Sequence, residues 1–119
     1  MKTLLIILML LSKMQTAQNK AVIEGDFLSM TNALQSYKVI TGDYPSTEQG
    51  LKALVNKPKV APVPRRWTQI MAEEPVDPWN RKYQYKLVNE KVQLWSKGAN
   101  LKDLKDDIFF PPKKVVEQE

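Results

Sequence analysis

The segment from Asn19 to Thr41 constrains the fold more than any other part of this 119-residue chain. Its large apolar residues recur at spacings of three and four, which places them on one stripe of an α-helix. These residues are Ile23, Phe27, Met30, Leu34 and Tyr37. Gly42 then supplies a C-terminal stop, with Pro45 shortly after it. A long helix with a single apolar stripe needs a sheet or another helix against that stripe, so we expect these residues to lie in the core.

The segment that precedes this helix has the pattern of a secretory signal peptide. Lys2 provides a basic start, and an eight-residue apolar run follows from Leu4 to Leu11. Eight residues cannot cross a bilayer, which takes about 20, but they suit the apolar region of a signal peptide that ends near Ala17. The alternative is a short apolar helix that stays attached and packs on another surface. Of the two, we favour export.

A capping-box pattern follows the long helix at Ser46-Thr47-Glu48-Gln49. In such a box the serine oxygen accepts from the backbone and the glutamine side chain reaches back to the serine. The pattern predicts a short helix from Thr47 to Asn56. Its inward-facing residues would be Leu51, Leu54 and Val55.

Prolines and a tight turn dominate the middle of the chain. Three prolines between Pro58 and Pro64 exclude helix and ladder pairing, so we expect an extended connection there. Trp67, Ile70 and Met71 come just afterwards and would anchor it in the core. The sequence Asp77-Pro78-Trp79-Asn80 predicts a turn, because Asn tolerates a left-handed backbone.

The stretch from Tyr83 to Ser96 predicts a β-hairpin. Apolar and polar residues alternate on both sides of Asn89-Glu90, where the chain can turn. We expect Trp79 and Trp95 to be core residues and not ligand platforms. The order of elements therefore predicts an α+β domain, in which a small antiparallel sheet covers the stripe of the long helix.

The composition argues against catalysis and against nucleic-acid binding. The chain has no Cys and no His, which removes thiol nucleophiles, disulfides, common zinc sites and the imidazole base. No glycine-rich phosphate loop or nucleophile-elbow motif is present. The net charge is +5, but Lys and Arg are scattered among Asp and Glu and define no phosphate track. We therefore expect neither an enzyme nor a nucleic-acid partner.

Four sequence blocks, in this order, resemble the G-type pseudopilin, the major pseudopilin of the type II secretion system. The resemblance extends from about Lys20 to Ile108, and the first and third blocks are the most specific. The blocks are GDYPSTEQGLKALVNKP (42–58), PVPRRW (62–67), EPVDPWNRKYQY (74–85) and LWSKGANLKDLKDDI (94–108).

The resemblance implies a pilin-like fold and a mechanical role. In that family a long N-terminal helix packs against a small sheet, and subunits stack their helices into a short periplasmic filament. The filament is taken to push folded proteins through an outer-membrane channel. The expected partners are therefore other pseudopilins and the secretion machinery, and the expected location is the periplasm, in association with the inner membrane.

The N-terminus departs from the family pattern. Family members begin with a basic leader and a Gly-Phe-Thr-Leu-Ile-Glu motif, whereas here no Gly precedes Gly25 and no Glu precedes Glu24. Alignment on the first block places Met1 inside the family's apolar helix. We consider two explanations, a misassigned or truncated start and a pseudopilin-like periplasmic protein exported by an ordinary signal. In the second case the protein would be a non-polymerising binding or adaptor module.

The resemblance also implies a structural calcium site in the loop after the hairpin. The segments Ser96–Asn100 and Asp106–Ile108 match the two halves of the family's calcium loop, with Asn100 in place of Asp. Calcium takes six to eight hard oxygen ligands from carboxylates, amides and carbonyls. The implied ligands are the Lys97 carbonyl and the side chains of Asn100, Asp106 and Asp107, with Asp103 or another carbonyl completing the shell.

The alternative for this loop is an acidic segment neutralised by its own lysines. Asn100 carries no charge, and Lys102 and Lys105 oppose a cation unless they point to solvent. We expect weak calcium binding. The predicted organisation is then a signal-like or truncated apolar segment (1–17), a pseudopilin-like domain (18–110) and a disordered tail (111–119).

Overall fold

The computed structural model describes residues 2–99 and 107–111 of the chain. A long helix, α1 (Lys2–Thr41), is followed by a 3-10 helix (Leu51–Leu54) and three strands. The strands are β1 (Gln84–Val88), β2 (Lys91–Ser96) and β3 (Ile108–Phe110), and they form one antiparallel sheet in the order β1-β2-β3. The predicted α+β architecture is confirmed.

Helix α1 buries the predicted stripe and begins earlier than predicted. Ile23, Phe27, Met30, Leu34 and Tyr37 are all buried, and Gly42, with φ 100°, donates its N–H to the Lys38 carbonyl at 2.8 Å as the helix ends. The predicted start near Asn19 is wrong, because the helix is continuous from Lys2. Leu, Met, Lys and Gln favour helix throughout this segment, and no Gly or Pro interrupts it before Gly25.

Residues 2–19 of α1 extend away from the core and expose their apolar side chains. Within residues 2–99 and 107–111, no helix has the length and apolarity needed to span a membrane.

The core lies between the second half of α1 and the inner face of the sheet. Tyr83 and Leu94 from the sheet region are buried against the stripe. The Phe27 ring lies 5.6 Å from that of Tyr83 and 5.7 Å from that of Phe110, measured between centroids. Two buried phenols join the sheet region to other segments. Tyr83 donates to Asp26 of α1, and Tyr85 donates to the Pro45 carbonyl, which follows α1 in the chain.

The short helix predicted from Thr47 to Asn56 is wrong in type and extent. A turn comes first, and the 3-10 helix contains only Leu51–Leu54. Gly50 has φ 63° and ψ −167°, a conformation that glycine adopts readily and that interrupts a helix. Leu51 and Leu54 are buried as predicted, and Val55 is half-buried.

The capping-box contacts nevertheless form. The Ser46 N–H donates to Gln49 Oε1 at 2.9 Å, and the Gln49 N–H donates to Ser46 Oγ at 3.1 Å. The box therefore closes a turn here, because Gly50 prevents an α-helix from continuing behind it.

The proline-rich connection is anchored as predicted. Trp67 Nε1 donates to the Ala53 carbonyl at 2.8 Å. The N–H groups of Ile70 and Met71 donate to the Leu54 carbonyl at 2.9 and 3.0 Å. All three anchoring side chains pack against the core.

The hairpin forms in the predicted position. Gln84 pairs with Trp95 and Val88 with Lys91, and Asn89 and Glu90 have φ 50° and 65°. Positive φ at both central residues is typical of the two-residue turn whose twist matches that of the strands.

The two tryptophans have different environments. Trp79 packs against the core as predicted. The prediction for Trp95 is wrong: its half-buried ring stacks on Phe109, 5.9 Å away, and it is not among the residues that pack on the core. Trp95 lies between the buried Leu94 and Ser96, so strand alternation directs it to the other face of the sheet.

Strand β3 was not predicted. Leu94 pairs with Phe110 and Ser96 with Ile108, so the acidic loop connects two strands and does not follow the last one. A three-residue strand is too short to show alternation in a sequence.

Candidate functional site

The predicted metal loop is closed at its base by the pairing of β2 with β3. Ser96 and Ile108 are paired, so their neighbours Lys97 and Asp107 stand at adjacent ends of the loop. The Lys97 residue is exposed and Asp107 is half-buried. The other three predicted ligands, Asn100, Asp103 and Asp106, lie outside the described residues.

A buried carboxylate lies beneath this loop. Asp77 is only 4% exposed. Its Oδ1 accepts from the N–H groups of Trp79 and Arg81, both at 3.0 Å, and its Oδ2 accepts from the Ser96 hydroxyl at 2.9 Å. The predicted turn at 77–80 is confirmed, with Asn80 at φ 62°. Asp77 therefore holds its own turn and the end of β2 together.

Gly98 is held through both of its backbone polar groups. Its N–H donates to Ser96 Oγ at 3.1 Å, and its carbonyl accepts from the Arg81 guanidinium. Gly98 has φ 70°, which favours glycine at this position. The first turn of the loop is therefore anchored to residues 77–81.

Sequence reasoning identified Asp77 only as a turn residue and did not identify Arg81 or Ser96 as supports of the loop. An Asp that precedes Pro is a sufficient signal for the local turn. The contact with Ser96 spans 19 residues, and no local pattern indicates it.

The donor chemistry of the loop fits an oxygen-preferring cation. Of the predicted donors, the Lys97 carbonyl and the Asp107 carboxylate belong to described residues, and both are hard oxygen ligands. Since Lys97 is exposed, its ammonium can remain in water. Residues 2–99 and 107–111 alone contain no group of three or more His, Cys, Asp or Glu that could hold a metal. A complete shell would therefore require donors from 100–106.

The buried tyrosines are structural donors. Burial, followed by the hydrogen bond to Asp26, raises the pKa of Tyr83 well above its ordinary value. Burial also raises the pKa of Tyr85. Both phenols therefore stay protonated at physiological pH, where each donates the hydrogen bond that joins the sheet region to the helix or to the segment after it.

A second candidate surface is the exposed side of α1. In its first half, large apolar side chains are about half exposed or more; they are Leu4, Leu5, Ile6, Ile7, Leu8, Met9, Leu10, Leu11 and Met14. In the second half, Val22, Leu28 and Val39 are also exposed, outside the buried stripe. The uninterrupted exposed apolar run from Leu4 to Leu11 is the kind of surface at which proteins interact.

The chain is similar to proteins of bacterial secretion. Residues 9–107 match the family described as type II secretion system (T2SS), protein G. The type II secretion system core protein G of Pseudomonas aeruginosa is 42% identical over 86 residues, which cover 69% of this chain and 61% of that protein. The core protein G of Pectobacterium carotovorum is 40% identical over 104 residues, covering 82% of this chain and 64% of that protein. The chain thus spans less than two thirds of the length of these relatives.

A solved structure agrees with these relatives. The major pseudopilin from the type 2 secretion system of enterohaemorrhagic Escherichia coli superposes with a TM-score of 0.73 at 31% identity. The superposition covers 80% of this chain and 88% of that one. The predicted pilin-like fold is confirmed, and the match over residues 9–107 shows that this chain belongs to the type II secretion system protein G family.

Proposed function

We propose that this chain is a structural subunit of a type II secretion pseudopilus, the filament that supports export of folded proteins across the outer membrane. Family membership supports this role. The observation that carries it is that α1 has two sets of apolar residues. One set forms a stripe that is buried against the sheet, and the other set is exposed along the same helix. The role is mechanical and requires no active site.

The exposed apolar residues of α1 define the proposed subunit contact. Side chains between Leu4 and Met14 remain 47–64% exposed in the single chain. Those that face a neighbouring helix lose their contact with water when it packs alongside, and this transfer drives association. We place the assembled protein in the periplasm, associated with the inner membrane and with other pseudopilins.

Complementation tests this role. In Pseudomonas aeruginosa lacking its own core protein G, expression of this chain is expected to restore secretion of a folded exoprotein. Accumulation of the chain at normal levels without any secretion would contradict the proposal and favour a non-polymerising adaptor.

Cysteine cross-linking tests the contact itself. The chain has no Cys, so a single introduced thiol reports only its own surroundings. Leu8→Cys is expected to give disulfide-linked dimers under mild oxidation, because equivalent helices pack together in the filament. Lys52→Cys, an exposed position on the 3-10 helix, is the matched control. Equal cross-linking of both variants would rule out specific helix packing.

We also propose that the loop between β2 and β3 binds one Ca²⁺. The Lys97 carbonyl and the side chains of Asn100, Asp106 and Asp107 would hold the ion, with Asp103 or another carbonyl as a further ligand. Support comes from the oxygen donors and from the paired strands at the base of the loop. Calcium would stabilise the fold by joining segments that are separate in the chain. Binding would be weak, because Asn100 is neutral.

Thermal unfolding tests the calcium proposal. A ligand that binds only the folded state stabilises it by about 2.7 kcal/mol at 100 times its Kd. Millimolar Ca²⁺ is therefore expected to raise the Tm of the wild type, and EDTA to lower it. Asp106→Ala should abolish the shift, whereas Glu73→Gln, an exposed carboxylate outside the loop, should keep it. Identical Tm values in calcium and EDTA for the wild type would exclude the site.

A further inference from the structure

We propose that Asp77, acting through Ser96, positions the Lys97 carbonyl oxygen as a preorganised calcium ligand. The inference rests on the proposed calcium site. It concerns residues that do not touch the ion, so Asp77 and Ser96 are positioning residues.

The first step concerns the orientation of the Ser96 hydroxyl. Ser96 is fully buried and Asp77 nearly so. A hydroxyl has one proton to donate and lone pairs to accept with. The proton is donated to Asp77 Oδ2 at 2.9 Å, and the oxygen accepts the Gly98 N–H at 3.1 Å. The carboxylate thereby fixes the hydroxyl as an acceptor for the loop backbone.

The second step concerns the peptide unit between Lys97 and Gly98. This peptide bond is trans, and in a planar trans peptide the N–H and C=O groups point in opposite directions. The Gly98 N–H points inward to Ser96 Oγ. The Lys97 carbonyl therefore points away from the buried serine, which leaves this oxygen to face the proposed ion.

The third step concerns the next peptide unit. The Gly98 carbonyl accepts from the guanidinium of Arg81. The backbone N–H of Arg81 in turn donates to Asp77 Oδ1 at 3.0 Å. Both peptide units that flank Gly98 are therefore anchored to the turn that Asp77 organises. A ligand held in its bound orientation before the ion arrives gives tighter binding, because less freedom is lost.

Isothermal titration with CaCl₂ on the full chain tests the inference. Outer partners of metal ligands typically change affinity by about 10–100-fold when removed. Ser96→Ala is expected to raise the calcium Kd by that factor. Asp77→Asn is expected to do the same, because an amide that keeps its oxygen towards the two N–H groups turns an NH₂ donor towards Ser96.

The matched control is Tyr85→Phe. It also removes one buried hydroxyl, whose hydrogen bond goes to the Pro45 carbonyl and does not involve the loop. A merely structural role predicts that Tyr85→Phe and Ser96→Ala lower the Tm of the calcium-free protein and leave the Kd unchanged. Our inference predicts a raised Kd for Ser96→Ala and a wild-type Kd for Tyr85→Phe.

The carbonyl carbon resonance of Lys97 provides a direct second readout. In the wild type it is expected to shift on addition of Ca²⁺, and in Asp77→Asn the shift should require about 10–100-fold more calcium. A wild-type Kd in both Ser96→Ala and Asp77→Asn overturns the inference and leaves the calcium site standing. Absence of calcium binding by the wild type overturns both. If Ser96→Ala does not fold, Asp77→Asn decides.

Discussion

At the residue scale, single polar side chains connect segments that are not adjacent in the chain. Gln49 accepts from the Ser46 N–H and donates through Nε2 to the carbonyls of Val60 and Pro62, both at 2.8 Å. It is only 8% exposed. Asp77 has the same role beneath the acidic loop. In both cases the side chain replaces backbone pairing that the irregular neighbouring segment cannot supply.

Gln49→Glu is expected to destabilise the protein. The carboxylate retains an acceptor for Ser46 but has no N–H for the two carbonyls, and it places a negative charge beside their oxygens. The expected loss is about 1–3 kcal/mol of unfolding free energy. Urea denaturation at neutral pH measures it. Gln93→Glu, exposed on β2, should lie within about 0.5 kcal/mol of the wild type. An equal effect of the two substitutions would refute the proposed role of Gln49.

At the element scale, α1 presents two different apolar surfaces. One faces the domain's own sheet and the other is uncovered in the single chain. The periodicity identifies the first surface correctly, because only residues at spacings of three and four can share one stripe. The second surface does not contribute to the monomer's core, so its substitutions should affect assembly and spare folding.

Leu34→Ala and Leu28→Ala separate the two surfaces. Leu34 is 1% exposed and Leu28 is 64% exposed. Leu34→Ala should lower the unfolding free energy by about 2–5 kcal/mol, because it leaves a cavity in the core. Leu28→Ala should change it by no more than about 0.5 kcal/mol. Chemical denaturation measures both, and a large loss for Leu28→Ala would show that its surface is covered in the monomer.

At the scale of the whole molecule, the sheet is completed by a strand from the far end of the chain. β3 pairs with β2 and places Phe110 against Phe27 of α1. This single strand therefore joins the hairpin, the helix and the acidic loop. The loop is closed because its two ends are fixed in one sheet.

Phe110→Ala is expected to loosen this closure. Phe110 contacts α1, whereas its neighbour Phe109 stacks on Trp95. We expect a loss of about 1–3 kcal/mol for Phe110→Ala, below that of a fully buried Phe because Phe110 is half-buried. Hydrogen exchange should quicken at the Leu94 amide, its partner in the sheet. Unchanged exchange there would show that β3 does not stabilise β2.

The local sequence, through its periodicity, its turn residues and its capping motif, was sufficient to predict the helix stripe, the hairpin and its turn, the capping contacts and the anchor of the proline-rich connection. It was insufficient for the start of α1, where the apolar run followed by polar residues suggested a separate segment. It also failed at residues 47–56, because the left-handed backbone of Gly50 outweighed the capping box.

The sequence predicted the oxygen donors of the candidate calcium site. It did not predict the contacts that hold the first turn of the loop in place. Asn100 and the aspartates are visible as oxygen donors in one short stretch of sequence. The contact from Ser96 to Asp77 and the pairing of Ser96 with Ile108 depend on how distant segments come together. Residue type and spacing report contacts within a few positions along the chain. Only the tertiary structure, which brings the turn at 77–81 against the end of β2, decides which buried carboxylate supports Ser96 and Gly98.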